Sequence, residues 1–304
     1  MVKCCVFSTP WLSGGMSNEN TIEKIVTHPG GAHKDDFLAC SILIYTYGVP
    51  VERREPTAED LANPKICVVD VGGEHDPEKM NFDHHQFPRD YVPTCALSLV
   101  LQYLGLYVDA RNYCDWLETA EWFDTRGAVK TAKWLGVDRN AMPKLNSPID
   151  MTCLRRFASL TEMKKGNVVW EIMSMIGEDL VTFVKGAKEK EEFIHKHGEI
   201  WEIEGELKVL YMPRTEPIPT EPSAGMVKYV LNVKRAKGCV GMVYPDRRGT
   251  GYGLTRHNDD LRLEFTNVAD CEDVHFAHNA GFIAKTTATE KDRLIELLKM
   301  AWVG

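Results

Sequence analysis

Asp83, His84 and His85 stand side by side in NFDHHQF, residues 81–87, with phenylalanines at 82 and 87. Imidazole nitrogen and carboxylate oxygen in one short stretch make a donor set for a divalent cation. Three residues alone make no site, so partners are needed. Of ten histidines in the chain, five fall between positions 28 and 85. Beside them stand Asp35, Asp36 and Asp70, and further on Asp124, in AEWFDTRG. A mixed His and carboxylate set suits Mn²⁺ better than an all-oxygen Mg²⁺ site or a thiolate-rich zinc site, with Mg²⁺ as second choice. Two such ions sharing a carboxylate could clamp a phosphoryl group during in-line displacement. Each residue alone has a structural reading: Asp35 and Asp36 as helix N-terminal charges, Asp70 as a turn residue.

The surrounding elements favour convergence. TIEKIVTH reads as a strand ending at His28, and HPGGAHKDD as the turn that follows. DDFLACSILIYTYG reads as a buried helix closed by Gly48. PKICVVDVGG is an unbroken apolar run ending at Asp70, as expected of a parallel strand covered on both faces. TCALSLVLQYLG and DARNYCDWLETAEWFD read as two more helices, with Asp124 near an element end. Strand, helix, strand, helix predicts an open α/β sheet. Ligands in such sheets bind beyond the carboxyl ends of the strands, where His28, His33, Asp35, Asp70, His84 and His85 would fall.

The 304 residues carry a net charge of −8, and 44% are hydrophobic, which predicts a globular chain of two domains. Nine scattered cysteines without a CxxC suggest free thiols in a reducing, cytoplasmic compartment. No signal peptide or membrane-spanning run is read. The expected organisation is an arm over 1–21, a parallel-sheet metal-binding domain over 22–149, a helical connector over 150–198 and a smaller α/β domain over 199–304. The last domain is expected to have a mixed or antiparallel sheet, with strands in EIWEIEGELKVLYM, MVKYVLNVKRAKGCVGMVYP and LRLEFTNV and a closing helix in TEKDRLIELLKMAW. Residues 226–262 hold eight basic side chains (Lys228, Lys234, Arg235, Lys237, Arg247, Arg248, Arg256 and Arg262) against Asp246, Asp259 and Asp260. That local excess is what a phosphate-backbone partner would require. GTGYGLTRH matches no phosphate-binding loop and reads as a flexible turn leading Arg256 and His257 toward a cleft.

FDHHQF resembles motif III of the DHH phosphoesterase superfamily. Together, IVTHPGGAHKDDFLAC and VVDVGGEHDPEKMNFDHHQF look like its melanocyte-proliferating-gene (Myg) branch. The resemblance implies a DHH-type fold and two divalent ions held by His28, His33, Asp35, Asp70, His84 and Asp124, with Asp70 bridging. It gives His85 a substrate-facing catalytic role beside Asp70. Asp83 would hold a neighbouring histidine, and Asp36 would do the same or serve as a helix charge. His33 stands where many superfamily members carry Asp, which lowers the negative charge of the site. HNAGFI resembles the C-terminal substrate motif through His278, Asn279 and Gly281, although His275-Phe276-Ala277 replaces the usual glycines. The activity implied is a metal-dependent phosphodiesterase that activates water, most similar to a 3′–5′ RNA exonuclease. RNA or a short oligonucleotide would be its partner and no membrane is involved; a homodimer stays open. Two alternatives remain. One is a phosphohydrolase acting on pyrophosphate, cyclic dinucleotides or a nucleoside bisphosphate. The other is a non-catalytic, metal-stabilised nucleic-acid-binding protein.

Overall fold

A computed structural model describes residues 21–145 and 147–304. The arm expected over 1–21 therefore lies, apart from Thr21, outside the described residues, as does Asn146. The chain divides into two compact units, Met1–Val184 and Lys185–Gly304.

The first unit contains β1 (Lys24–Thr27), α1 (Lys34–Tyr47), β2 (Val51–Arg53), α2 (Ala58–Ala62), β3 (Ile66–Val69), β4 (His75–Asp76), β5 (Asn81–Phe82), α3 (Ala96–Tyr103), α4 (Tyr107–Tyr113), α5 (Asp115–Leu135), α6 (Pro148–Ala158) and β6 (Glu162–Met163), and ends within α7 (Val168–His197). Its sheet has the order β4-β5-β3-β1-β2-β6. The four central strands are parallel, with antiparallel β4 and β6 at the edges. Ile25, Val26, Cys67, Val68 and Val69 are fully buried, which explains why β1 and β3 show no alternation in sequence. VERR, which carries no strong strand signal, forms β2 because Val51 and Arg53 are buried beside β1. The region expected to be a helical connector supplies α6, α7 and also the edge strand β6.

The second unit contains β7 (Glu199–Glu202), β8 (Lys208–Tyr211), α8 (Met226–Asn232), β9 (Gly241–Pro245), β10 (Tyr252–Arg256), β11 (Val274–Ala277), β12 (Ile283–Thr286) and α9 (Lys291–Ala301). The order β11-β12-β10-β9-β8-β7 is antiparallel except between β8 and β9. Three local expectations change. MVKYVLN is helical, because burying Met226, Tyr229 and Val230 at helical spacing outweighs the strand preference of its β-branched residues. LRLEFTNV is no strand: Phe265–Val268 forms a 3₁₀ turn that buries Phe265 and Val268. Within GTGYGLTRH only the first three residues lie in a turn, since Tyr252–Arg256 is a strand paired on both sides. Among the described residues, no helix is long and apolar enough to cross a membrane.

Candidate metal centre

Four chain segments bring the candidate ligands together at the carboxyl ends of β1 and β3. β1 ends at Thr27 and delivers His28. The turn that follows places His33 at the N-cap of α1, so Asp35 enters the first helical turn. Asp36 holds this entry, accepting from the backbone N–H of His33 and of Phe37, each at 2.8 Å. Asp70 directly follows β3 in a left-handed conformation, with φ 58°. Such strain in a non-glycine residue is characteristic of sites that need one side-chain direction.

Asp124 arrives on α5. That helix breaks at Gly127, where φ is 73° and ψ 166°, so Asp124 lies in the last turn before the break. A Cβ at Gly127 would meet nothing within 4 Å, so the conformation, and not space, demands glycine there. Sequence periodicity ran α4 and α5 together; they are separate helices meeting at Cys114.

The contacts have one character. His84 Nε2 lies 3.1 Å from Asp70 Oδ1 and 3.1 Å from Asp124 Oδ2. His28 Nε2 lies 3.2 Å from Asp36 Oδ2 and 3.5 Å from Asp70 Oδ2. His33 Nδ1 is 3.9 Å from Asp124 Oδ1. Yet His28 Nε2, both Asp35 oxygens, Asp36 Oδ2, Asp70 Oδ1, His84 Nε2 and Asp124 Oδ2 are buried without a hydrogen-bond partner. Buried polar atoms are rarely left so, and a cluster of them converging on one point is what a cation would satisfy. Donor atoms of His28, His33 and Asp70 gather within 4.8 Å of one another, as do those of His33, Asp35 and Asp124 and those of Asp70, Asp83, His84 and His85. These groups can hold a divalent cation.

Electrostatics agree. Burial, then the carboxylates of Asp70 and Asp124, push Asp35 well above the usual carboxylate range. Burial also raises Asp70. Burial acts to lower His84, but Asp124 and Asp70 outweigh it and bring it up to about 10. The Asp36 carboxylate raises His28 to about 9. Protons compensate clustered carboxylates here, a role that a metal ion takes over on binding.

His84 and His85 divide by exposure: side-chain exposure is 8% for His84 and 63% for His85. The segment is not extended. Phe87 N–H donates to the His84 carbonyl at 3.0 Å, closing a turn, and the two rings lie 4.4 Å apart. Asp83 braces this turn, accepting from the N–H groups of Gly73, His84 and His85. Its Oδ1 also lies 2.7 Å from His85 Nδ1. Burial would raise Asp83, but these contacts, led by His85, hold it at about 2.

Two supporting residues escaped the sequence reading. Arg53 is buried and donates to the carbonyls of Gly30, Gly31 and Phe157, with Nη2 3.6 Å from Asp36 Oδ2. Its place follows from register, which the sequence does not show: Arg53 pairs with Thr27, one residue before His28. Glu121, one turn before Asp124, is buried and accepts from Ser98, Tyr107 and Arg111. A lone acid on a buried helix face was the clue.

The five residues singled out in the second unit make their contacts within that unit. Arg256 is buried and donates to the Leu263 carbonyl, to Asp259 Oδ1 at 3.0 Å, to the Ala280 carbonyl at 3.2 Å and to Glu264 Oε2 at 2.8 Å. His257 is buried, and burial lowers its pKa. His278 and Asn279 are exposed in the turn between β11 and β12, where Gly281 N–H donates to the His278 carbonyl at 2.7 Å. A Cβ on Gly281 would fall 1.8 Å from Glu264 Oε1, so glycine lets this turn close over the carboxylate that Arg256 holds.

Comparison with known proteins finds similarity in part of the first unit. Residues 24–98 match the MYG1_exonuc family model, described as an uncharacterised protein family. The human protein called MYG1 exonuclease is 46% identical over 77 residues, covering 24% of this chain and 19% of that one. A Chlamydia pneumoniae MYG1 protein is 34% identical over 94 residues, 30% of this chain and 32% of its own. The chain thus matches about a fifth to a third of these relatives' length. Among solved structures, RecJ of Thermus thermophilus in complex with Mn²⁺ is 14% identical with a TM-score of 0.28, covering 92% of this chain and 51% of that one. The segment that resembles this family holds His28, His33, Asp35, Asp70, His84 and His85, whereas Asp124 lies outside it.

Proposed function

We propose that this protein is a divalent-metal-dependent phosphodiesterase with a binuclear centre, acting as a 3′–5′ exonuclease on RNA. The observation that carries the metal reading is the set of buried, unpartnered nitrogen and oxygen atoms converging at the ends of β1 and β3. Asp70 is suited to bridge, because its Oδ2 faces His28 and its Oδ1 faces His84. One ion would be held by His28, His33 and Asp70, the other by Asp35, Asp70, His84 and Asp124. Three histidines among six ligands favour Mn²⁺ over Mg²⁺. When bound, such a pair supplies Lewis acidity and lowers the pKa of water toward about 7.

The chain's own groups do the rest. Asp83 fixes the ring of His85 through Nδ1 and raises its pKa, favouring the charged form. The ring's other nitrogen is left to donate to a phosphate oxygen as charge builds in the transition state. Asp36 and Arg53 fix the turn that carries His33 and Asp35. The MYG1 exonuclease relatives support a nuclease.

The test is a metal-supplemented assay on 3′- and 5′-end-labelled RNA, with pyrophosphate, a cyclic dinucleotide and a nucleoside bisphosphate in parallel. Stepwise mononucleotide release from the 3′ end is expected. Hydrolysis of a small compound with RNA intact would replace the substrate, and no hydrolysis with metal bound would replace the enzyme reading.

A further inference from the structure

The basic residues of 226–262 do not act as one surface. Arg235 donates to the carbonyls of Ile194, His195 and Gly198 and to the Tyr229 hydroxyl. Arg256 is committed internally, and Arg262 pairs with Asp260 and Glu206. Arg247 and Arg248 differ. They line a cavity of about 370 Å³, together with Ser223, Tyr244, Asp246 and Lys285. Lys285 lies outside the stretch that the charge count drew attention to.

The cavity is built on a braced turn. Asp246 N–H donates to the Gly251 carbonyl at 2.8 Å, and Arg214 Nη2 donates to the carbonyls of Asp246, Gly249 and Gly251. Asp246 accepts from the Arg248 backbone N–H and from Lys285 Nζ. Arg247 is tied by one bond, to the Thr220 carbonyl at 2.8 Å. The Arg248 guanidinium has no partner among the described residues. Tyr244 forms a fixed wall, because its ring lies across Gly253, where a Cβ would sit 2.8 Å from the ring. Three cations thus face one carboxylate. The turn joins β9 to β10 at the end of the ladder away from Arg256, since Tyr252 pairs with Pro245 and Arg256 with Gly241.

We infer that this cavity is a phosphate-binding subsite that takes a nucleotide phosphate, in an oligonucleotide or as a free mononucleotide. Two planar guanidinium forks and an ammonium match the several acceptor oxygens and the charge of a phosphate better than a single carboxylate. Only the choice of nucleotide rests on the nuclease reading; the phosphate chemistry rests on the cavity.

The experiment measures binding of a labelled five-nucleotide RNA, of AMP and of inorganic phosphate to the full chain in EDTA, with RNA cleavage in added Mn²⁺ scored separately. Arg248→Gln removes no internal contact, so folding should be kept; melting temperature checks this. RNA affinity is expected to fall about tenfold, with the salt slope reduced by about one, and Arg248→Lys should restore part of it. Arg247→Gln/Arg248→Gln should fall further. Lys234→Gln/Lys237→Gln removes two exposed charges outside the cavity and should leave the affinity within twofold. Parallel loss of AMP binding would show that a free nucleotide suffices; loss for RNA alone would show that the site reads a chain phosphate. Unchanged RNA binding in both arginine variants, or an equal loss in the lysine control, overturns the subsite. Cleavage without any arginine effect sinks the subsite and leaves the nuclease standing. Arginine-dependent AMP binding without RNA cleavage does the reverse.

Discussion

The two units each bury a set of charged side chains, but they treat them in opposite ways. Around Asp70, seven nitrogen and oxygen atoms of His28, Asp35, Asp36, His84, Asp70 and Asp124 are buried without a hydrogen bond. Around Arg256, every guanidinium nitrogen has an acceptor, and Glu264, which receives it, is also capped by Thr266. Both regions were singled out from the sequence because polar residues cluster there. Unsatisfied convergence marks a place made for something the chain does not contain; satisfied convergence marks scaffold. Substitutions should therefore act on metal and turnover in the first region, and on stability in the second.

The largest effect is expected at Asp70, whose two oxygens face two different histidines. Asp70→Ala should lower metal affinity by about 10²-fold or more and abolish hydrolysis, while the fold persists. Elemental analysis after gel filtration, beside an activity assay, checks it. A variant that keeps both metals and near-normal turnover would remove the bridging role.

His84 and His85 test the same contrast within two adjacent residues. His84 is buried between two carboxylates, and His85 is exposed and held by Asp83. His84→Ala should lose metal. His85→Ala should retain it and lose about 10²–10³-fold in single-turnover rate, the scale of one preorganised donor. The reverse pattern would exchange their roles.

The legibility of these two regions differed for a physical reason. Metal-type donors occur at strand ends, and a strand end is readable from an apolar run stopping at a turn, as with VVDVGG and IVTHPGG. His28 and Asp70 were legible as candidates for that reason. Arg53 was not, because a strand of three residues leaves too little pattern and its role depends on register against β1. In the second unit, the sequence showed charges but not their partners. Whether Arg256 reaches out or folds in depends on Glu264 and Ala280, eight and 24 positions away. Its strand was masked by the glycines at 249, 251 and 253, of which Gly253 serves packing against Tyr244.

Arg256→Gln brings the comparison to the scaffold side. Removing the charge leaves Glu264 and two carbonyls without their donor, at a cost of about 2 kcal/mol in stability. Metal content should not change. Denaturant unfolding, paired with elemental analysis, reads both; a loss of bound metal with unchanged stability would contradict the assignment.

The smallest effect, and the one that most directly separates the units, is the response to pH without metal. His28 is raised to about 9 and His84 to about 10, against an ordinary 6.5. A base whose folded pKa exceeds its unfolded one stabilises the fold fully below about pH 6.5, and this contribution is lost as pH rises through about 9 to 10. Asp35 and Asp70, also raised, act in the same direction, because the folded state holds protons that the unfolded chain releases. The first unit should therefore lose thermal stability between pH 6.5 and 9 in EDTA. In Mn²⁺ the slope should flatten, since the ion replaces the protons, and the apparent metal affinity should rise over the same window. The scaffold carboxylates of the second unit point the other way: Glu264 and Asp273 are lowered by Thr266 and Arg293 respectively, so their contribution is already complete above the ordinary carboxylate range and is lost only on acidification. Calorimetric melts at pH 6.5 and 9, each with EDTA and with Mn²⁺, compare the four conditions directly. An EDTA slope no steeper than the Mn²⁺ slope would mean that the buried His and Asp cluster does not exchange protons for metal.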